Sequence, residues 1–94
     1  MKSLILAMAL VLSVAGSAYA DVFQLVDRDR NSYLVSYAVY ISGRLCGYTD
    51  GYGRIRIDRP NGTYKAILRI RNRPDRVIRL SFNGGRTLKI IYVR

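Results

Sequence analysis

Few side chains in this sequence have the chemistry of a reaction. The 94 residues contain no histidine, and all six acidic residues are aspartate. A Cys–His nucleophile or a Ser–His–Asp triad therefore cannot be assembled. Asp27 and Asp29 form one carboxylate pair, but Arg28 and Arg30 alternate with them in the run DRDRNS. Such alternation reads as a solvated turn, whereas an acid–base pair needs burial to separate its two pKa values. Asp50 opens the glycine-rich stretch TDGYG, Thr49 to Gly53. A calcium loop would need further oxygen ligands at alternating positions, and a phosphate loop would need a lysine and a following helix. Neither pattern is present, so the stretch reads as a turn, with glycines free to take positive φ and Asp50 capping nearby amides. The sequence predicts no catalytic residue, no metal site and no cofactor, and a protein that is not an enzyme.

Cys46 is the only cysteine. It is either buried and inert or paired between molecules. The tripeptide NGT, Asn61 to Thr63, matches a glycan acceptor and reads equally as a turn.

What remains is charge. Sixteen Lys and Arg against six Asp give a net charge of +10, and most of the cations are arginine. Such a balance favours acidic partners. Arginine in particular suits bidentate contact with carboxylate, sulfate or phosphate. In RIRI, Arg54 and Arg56 alternate with Ile55 and Ile57; in TYKAILRIR, Lys65, Arg69 and Arg71 fall on the face opposite Tyr64, Ala66, Leu68 and Ile70. Paired as an antiparallel hairpin, these runs would gather Arg54, Arg56, Lys65, Arg69 and Arg71 on one outward face, extended by Arg73. Three readings of that face stay open: an anion-binding surface, a merely solvated surface, and a protein interface.

The elements that must position these residues are strands. The chain after residue 20 has no long helical period and shows short alternating runs separated by turn residues. Expected strands are VFQLVD (22–27), YLVSYAVYI (33–41), LCGYT (45–49), RIRI (54–57), TYKAILRIR (63–71), RVIRLSF (76–82) and TLKIIYV (87–93). In the second run Tyr33, Val35, Tyr37, Val39 and Ile41 share a face. NGG, Asn83 to Gly85, is a hairpin signal between the last two. The last run is apolar on both sides; at a sheet edge, Ile91, Tyr92 and Val93 would form a docking or assembly edge. The alternative is a central strand buried on both faces.

The first 20 residues, MKSLILAMALVLSVAGSAYA, have the charged, apolar, A-x-A order of a secretory signal peptide. The apolar run is short against the roughly 20 residues of a membrane span, the alternative being a retained anchor helix. Cleavage after Ala20 would leave residues 21–94 as one domain of 74 residues with a net charge of +9, since Lys2 departs with the leader. A domain of this size buries a thin core and, with one cysteine, has no internal disulfide to support it. Export makes acidic polysaccharide or lipid headgroups the expected polyanions, with nucleic acid a weaker candidate; a periplasmic or extracellular location follows.

The stretch YAVYISGRLCGYTDGYGRIRIDRPNGTYKAILRI resembles the carboxypeptidase regulatory-like domain, a transthyretin-like (prealbumin-type) sandwich. Thr49, Asp50, Gly53, Ile55 and Ile57 match that family's Thr-Asp-x-x-Gly turn and following strand, and Gly62 and Tyr64 match its Gly-x-Tyr. The resemblance spans about Val22 to Phe82 and departs from the family in RDRNSYLVS, where a Gly/Pro-rich segment is usual. It implies a small seven-stranded Greek-key β-sandwich, structural roles for Thr49, Asp50, Gly53, Gly62 and Tyr64, and a non-catalytic accessory module. Two functions are expected on these grounds: binding of an acidic envelope or extracellular component through the arginine face, or service as a subunit or accessory of a surface fibre or envelope complex, with homo-oligomers possible.

Overall fold

The computed structural model describes residues 20–85 and 87–94. The leader expected over residues 1–20 lies outside the described residues apart from Ala20. The described chain is all-β: β1 (Asp21–Asp27), β2 (Ser32–Tyr33), β3 (Ala38–Ile41), β4 (Arg44–Tyr48), β5 (Arg54–Ile57), β6 (Gly62–Arg69), β7 (Arg76–Phe82) and β8 (Leu88–Val93). No helix among the described residues is long and apolar enough to cross a membrane.

The strands form two four-stranded sheets. In the first, β1 is central: β5 pairs antiparallel with Asp21–Gln24 and β2 with Val26–Asp27, while β8 runs parallel to it over Val22–Asp27. Because β2 and β5 use different stretches of β1, they share one of its edges, and β8 takes the other. The second sheet is antiparallel, in the order β4-β3-β6-β7.

Period-two alternation supplies one inward face per sheet, and the two faces close a single core. Phe23 and Leu25 of β1, Ile55 and Ile57 of β5 and Val93 of β8 meet Val39 and Ile41 of β3, Ala66 and Leu68 of β6, and Leu80 and Phe82 of β7. Phe82 is gripped edge-on by Phe23 and Tyr64, with ring centroids 5.0 and 5.3 Å apart. Edge-to-face packing of this kind adds to the area buried. Cys46 is half-buried against the same core and is a free thiol.

Three expectations from the sequence need correction. The run 33–41 is not one strand but two, β2 and β3. Ser36 takes a positive φ of 61°, and Leu34 turns inward while Val35 is exposed. The break lets the Thr49 hydroxyl accept from the buried Tyr37 N–H at 2.8 Å. RIRI and TYKAILRIR do not form a hairpin: β5 pairs with β1 and β6 with β3 and β7. The chain at Asp58–Asn61 crosses between sheets, so the β5 isoleucines and the β6 core residues face each other through the core rather than side by side. That arrangement also keeps two arginine rows from adjoining in one sheet. For the same reason Asn83–Gly85 is a crossover, not a hairpin, since β7 and β8 belong to different sheets.

Candidate functional site: a cationic groove beside two sheet edges

The TDGYG stretch is held from within. The Asp50 carboxylate accepts the Tyr52 and Arg54 N–H groups at 2.8 and 2.9 Å, and the Gly53 N–H donates to the Asp50 carbonyl at 3.0 Å. The Arg54 amide, then the Tyr52 amide, hold the Asp50 carboxyl below the ordinary aspartate range. Gly53 has φ +72°, and a Cβ there would lie 2.5 Å from the Leu25 carbonyl oxygen. Gly62 also has positive φ, and the Tyr64 hydroxyl donates to the Pro60 carbonyl at 2.9 Å. With Thr49, whose hydroxyl accepts the Tyr37 N–H, the side chains of Asp50 and Tyr64 are spent on backbone groups.

The six residues expected to form one anion face are divided among three places. Arg54 and Arg56 project from the outer face of the first sheet, opposite Gln24 and Val22. Lys65 and Arg69 project from the outer face of the second. Arg71 and Arg73 follow the end of β6, and Arg73 lines a small hollow with Arg30, Tyr33 and Ile70. Arg69 is already engaged. Its guanidinium donates to both oxygens of Asp75, at 3.0 and 2.8 Å, and lies over the Tyr40 ring. That pairing raises the Arg69 pKa and lowers that of Asp75.

A different set of cations does converge. Arg28, Lys65, Arg79 and Arg94 line a groove of about 500 Å³ whose apolar wall is Val77, Ile78, Ile91, Tyr92 and Val93. It lies where β7, the end strand of the second sheet, comes alongside β8 of the first. Lys65 and Arg79 are direct cross-strand partners. The ion pairs among the described residues are Arg69–Asp75, Arg76–Asp27 and Lys89–Asp21, so none of the four groove cations is neutralised by a carboxylate.

Two buried aspartates, one at each end of β1, hold ion pairs of their own. Asp27, buried at the end of β1, accepts from the Asp29 and Arg30 amides at 3.0 and 3.1 Å and from Arg76 of β7 at 3.0 Å. The Arg30 amide, followed by Arg76, keeps its carboxyl below the ordinary range. Asp21, buried at the start of β1, accepts from Lys89 of β8 and from the Asn83 N–H. Burial acts to raise its pKa, but Lys89 and the Asn83 amide outweigh burial, and the net shift is downward. Asp21 ties β1 to β8 of its own sheet, Asp27 ties it to β7 of the other, and neither carboxylate lines the groove.

Sequence reasoning found Lys65 of this set and missed Arg28, Arg79 and Arg94. The sequence places Arg28 in a solvated turn and gives Arg79 and Arg94 no particular role. Only the placement of β7 beside β8 brings them together, a contact between sheets that no local period encodes. The assembly edge expected at Ile91, Tyr92 and Val93 also changes. Ile91 and Val93 turn toward the core, and the exposed apolar residues of β8 are Leu88, Ile90 and Tyr92, at 42, 50 and 64% exposure. Parallel register with β1 sets this phase, because Leu25 and Ile91 share the inward face.

No protein-family model matches the chain, and no curated protein matches it.

Proposed function

We propose that this protein is a non-catalytic, exported binding module that engages an acidic envelope or extracellular component, an anionic glycan or a lipid headgroup. The observation that carries the reading is the groove: Arg28, Lys65, Arg79 and Arg94 line it, and none of them forms an ion pair among the described residues. Like charges set opposite each other in a sheet cost stability, on the order of 0.2–1 kcal/mol per pair. A thin-cored domain gains from such an arrangement when an anion occupies it. Arg54 and Arg56, on the outer face of the first sheet beside Tyr52, form a second, smaller cationic surface. The absence of histidine and glutamate from the sequence supports a role without catalysis. The resemblance to the carboxypeptidase regulatory-like domain, with its transthyretin-like sandwich, belongs to the same proposal and is supported by two sheets closing one core around the Thr49–Gly53 turn.

A second reading, an accessory or subunit that assembles through its edge strands, is favoured by β8, which pairs on one side only among the described residues.

The test is the mass and composition of the protein taken from its own cells, by size exclusion with light scattering at low and high salt. A species that is heavy at low salt, carries glycan or lipid phosphate, and becomes a bare monomer at high salt is the expected result. A large, salt-resistant species made of protein alone would favour the second reading. A bare monomer at both salts would reject both.

A further inference from the structure

We infer that the open edge of β8, together with the cationic groove beside it, is a strand-addition site for an extended acidic peptide whose alternate residues are apolar. The charge half of this inference rests on the anion-binding reading of the groove; the backbone half does not.

The backbone argument begins with a single bond. The Arg28 N–H donates to the Val93 carbonyl at 2.8 Å. In a parallel ladder, the N–H and C=O of one residue point to the same side, and successive residues alternate. With β8 in register on β1, Lys89, Ile91 and Val93 therefore turn their backbone groups toward β1. Leu88, Ile90 and Tyr92 turn theirs away, and no strand among the described residues pairs with them.

Natural edges are usually guarded by proline, a bulge or an outward lysine. β8 has no proline, its register with β1 runs unbroken, and its one lysine is turned inward. Lys89 is held by the buried Asp21 and lies over the Phe23 ring. The open backbone groups belong to the same residues whose apolar side chains are exposed. An unguarded, apolar edge of this length is a template for another strand.

Charge then selects the occupant. Side chains of an added strand alternate between two faces. One set would lie beside Ile90 and Tyr92 on the outer face of the first sheet, where apolar residues are suited. The other set would turn toward the groove, where Arg28, Lys65, Arg79 and Arg94 wait and carboxylates are suited. A second copy of the chain fits poorly. Its own β8 would bring Arg94 and the adjoining Arg28 toward the same four cations, and like charges facing one another oppose association.

The experiment uses the purified protein and a blocked peptide the length of β8, alternating glutamate and valine, with a backbone N-methylated version and heparin as comparisons. Affinity is read by calorimetry and strand formation by amide hydrogen exchange. The expected result is slowed exchange at Leu88, Ile90 and Tyr92 on adding the peptide, with the N-methylated version binding about tenfold or more weakly. Ile90→Pro removes an outward N–H without touching the β1 ladder, and is expected to weaken the peptide to a similar degree. Arg79→Glu with Arg94→Glu is expected to weaken it strongly at low salt and little at high salt.

Equal binding of the N-methylated peptide, or binding of the unmodified peptide with no change in exchange, would overturn strand addition while leaving the groove as a polyanion site. Full affinity in the charge-reversed variant would overturn the acidic occupant and the groove reading with it. Self-association through β8 without peptide, seen as protection of the same three amides at rising protein concentration, would replace the acidic peptide with a second copy. The N-methylated comparison needs no mutation, so a failure of Ile90→Pro to fold does not remove the test.

Discussion

Lys65 and Arg79 stand directly opposite each other on the exposed face of β6 and β7, and neither meets a carboxylate in an ion pair among the described residues. Two cations in register across an antiparallel pair oppose folding. Arg79→Glu converts the pair to opposite charges, so it is expected to raise stability by about 0.2–1 kcal/mol. The same change is expected to reduce retention on a polyanion. Denaturant unfolding and heparin affinity, measured on one preparation, check both halves. Higher stability with unchanged retention would mean that the face is only solvated.

Gly53 fixes the crossing of the Thr49–Gly53 turn over β1. Its N–H closes the turn, its carbonyl accepts the Leu25 N–H at 2.8 Å, and its Cα faces the Leu25 carbonyl oxygen. Gly53→Ala forces an L residue into the left-handed region, at roughly 1–3 kcal/mol, and adds a backbone clash. Gly43→Ala, also at positive φ but with open space around it, is the comparison. Urea unfolding is expected to show a clearly larger loss for the first.

Thr49 is buried, and its hydroxyl is the partner of the Tyr37 N–H at 2.8 Å. Thr49→Val keeps the shape and removes the acceptor, leaving a buried donor unsatisfied at about 1–3 kcal/mol. The expected consequence is local: exchange of the Ser36 and Tyr37 amides should accelerate more than that of the core of β6.

Acid should unfold the domain, for a stated set of groups. Asp21, Asp27, Asp50 and Asp75 all have folded-state pKa values below the ordinary 3.8. A carboxyl depressed by folding contributes stability that is present above its unfolded value and lost as pH falls through its folded value. Stability is therefore expected to decline below about pH 4, near the unfolded aspartate value. With no histidine in the sequence, it should be nearly flat from about pH 5 to 8. Thermal midpoints across pH check this. A transition centred near pH 6 would contradict the assignment.

Strands such as β5 and β7 were legible because each carries a period-two pattern that its own residues declare: Ile55 and Ile57 against Arg54 and Arg56, or Ile78, Leu80 and Phe82 against Val77, Arg79 and Ser81. The turn at Asp50 was legible for the same local reason. Sheet membership was not. Short connections such as Asp58–Asn61 suit a hairpin or a crossover equally, and the choice falls to core packing, where Ile57 and Leu68 bury from opposite sides. The anion face, deduced from a hairpin, was divided with it. The groove escaped notice because Arg28 and Arg79 are distant in sequence and meet only through the approach of β7 to β8. The break at Ser36 was hidden because the alternation of Tyr33 to Ile41 continues through it, while tertiary hydrogen bonds to Thr49 decide the backbone.

The most direct measurement is the affinity of the protein for heparin and for phosphatidylglycerol vesicles as salt is raised, beside a variant carrying Arg28→Glu, Arg79→Glu and Arg94→Glu. Tight binding to one of the two at low salt, falling steeply with salt and largely absent from the folded variant, is the expected result. Binding by the variant as tight as that of the native chain, or no binding to either polyanion at low salt, would contradict the groove as the functional site.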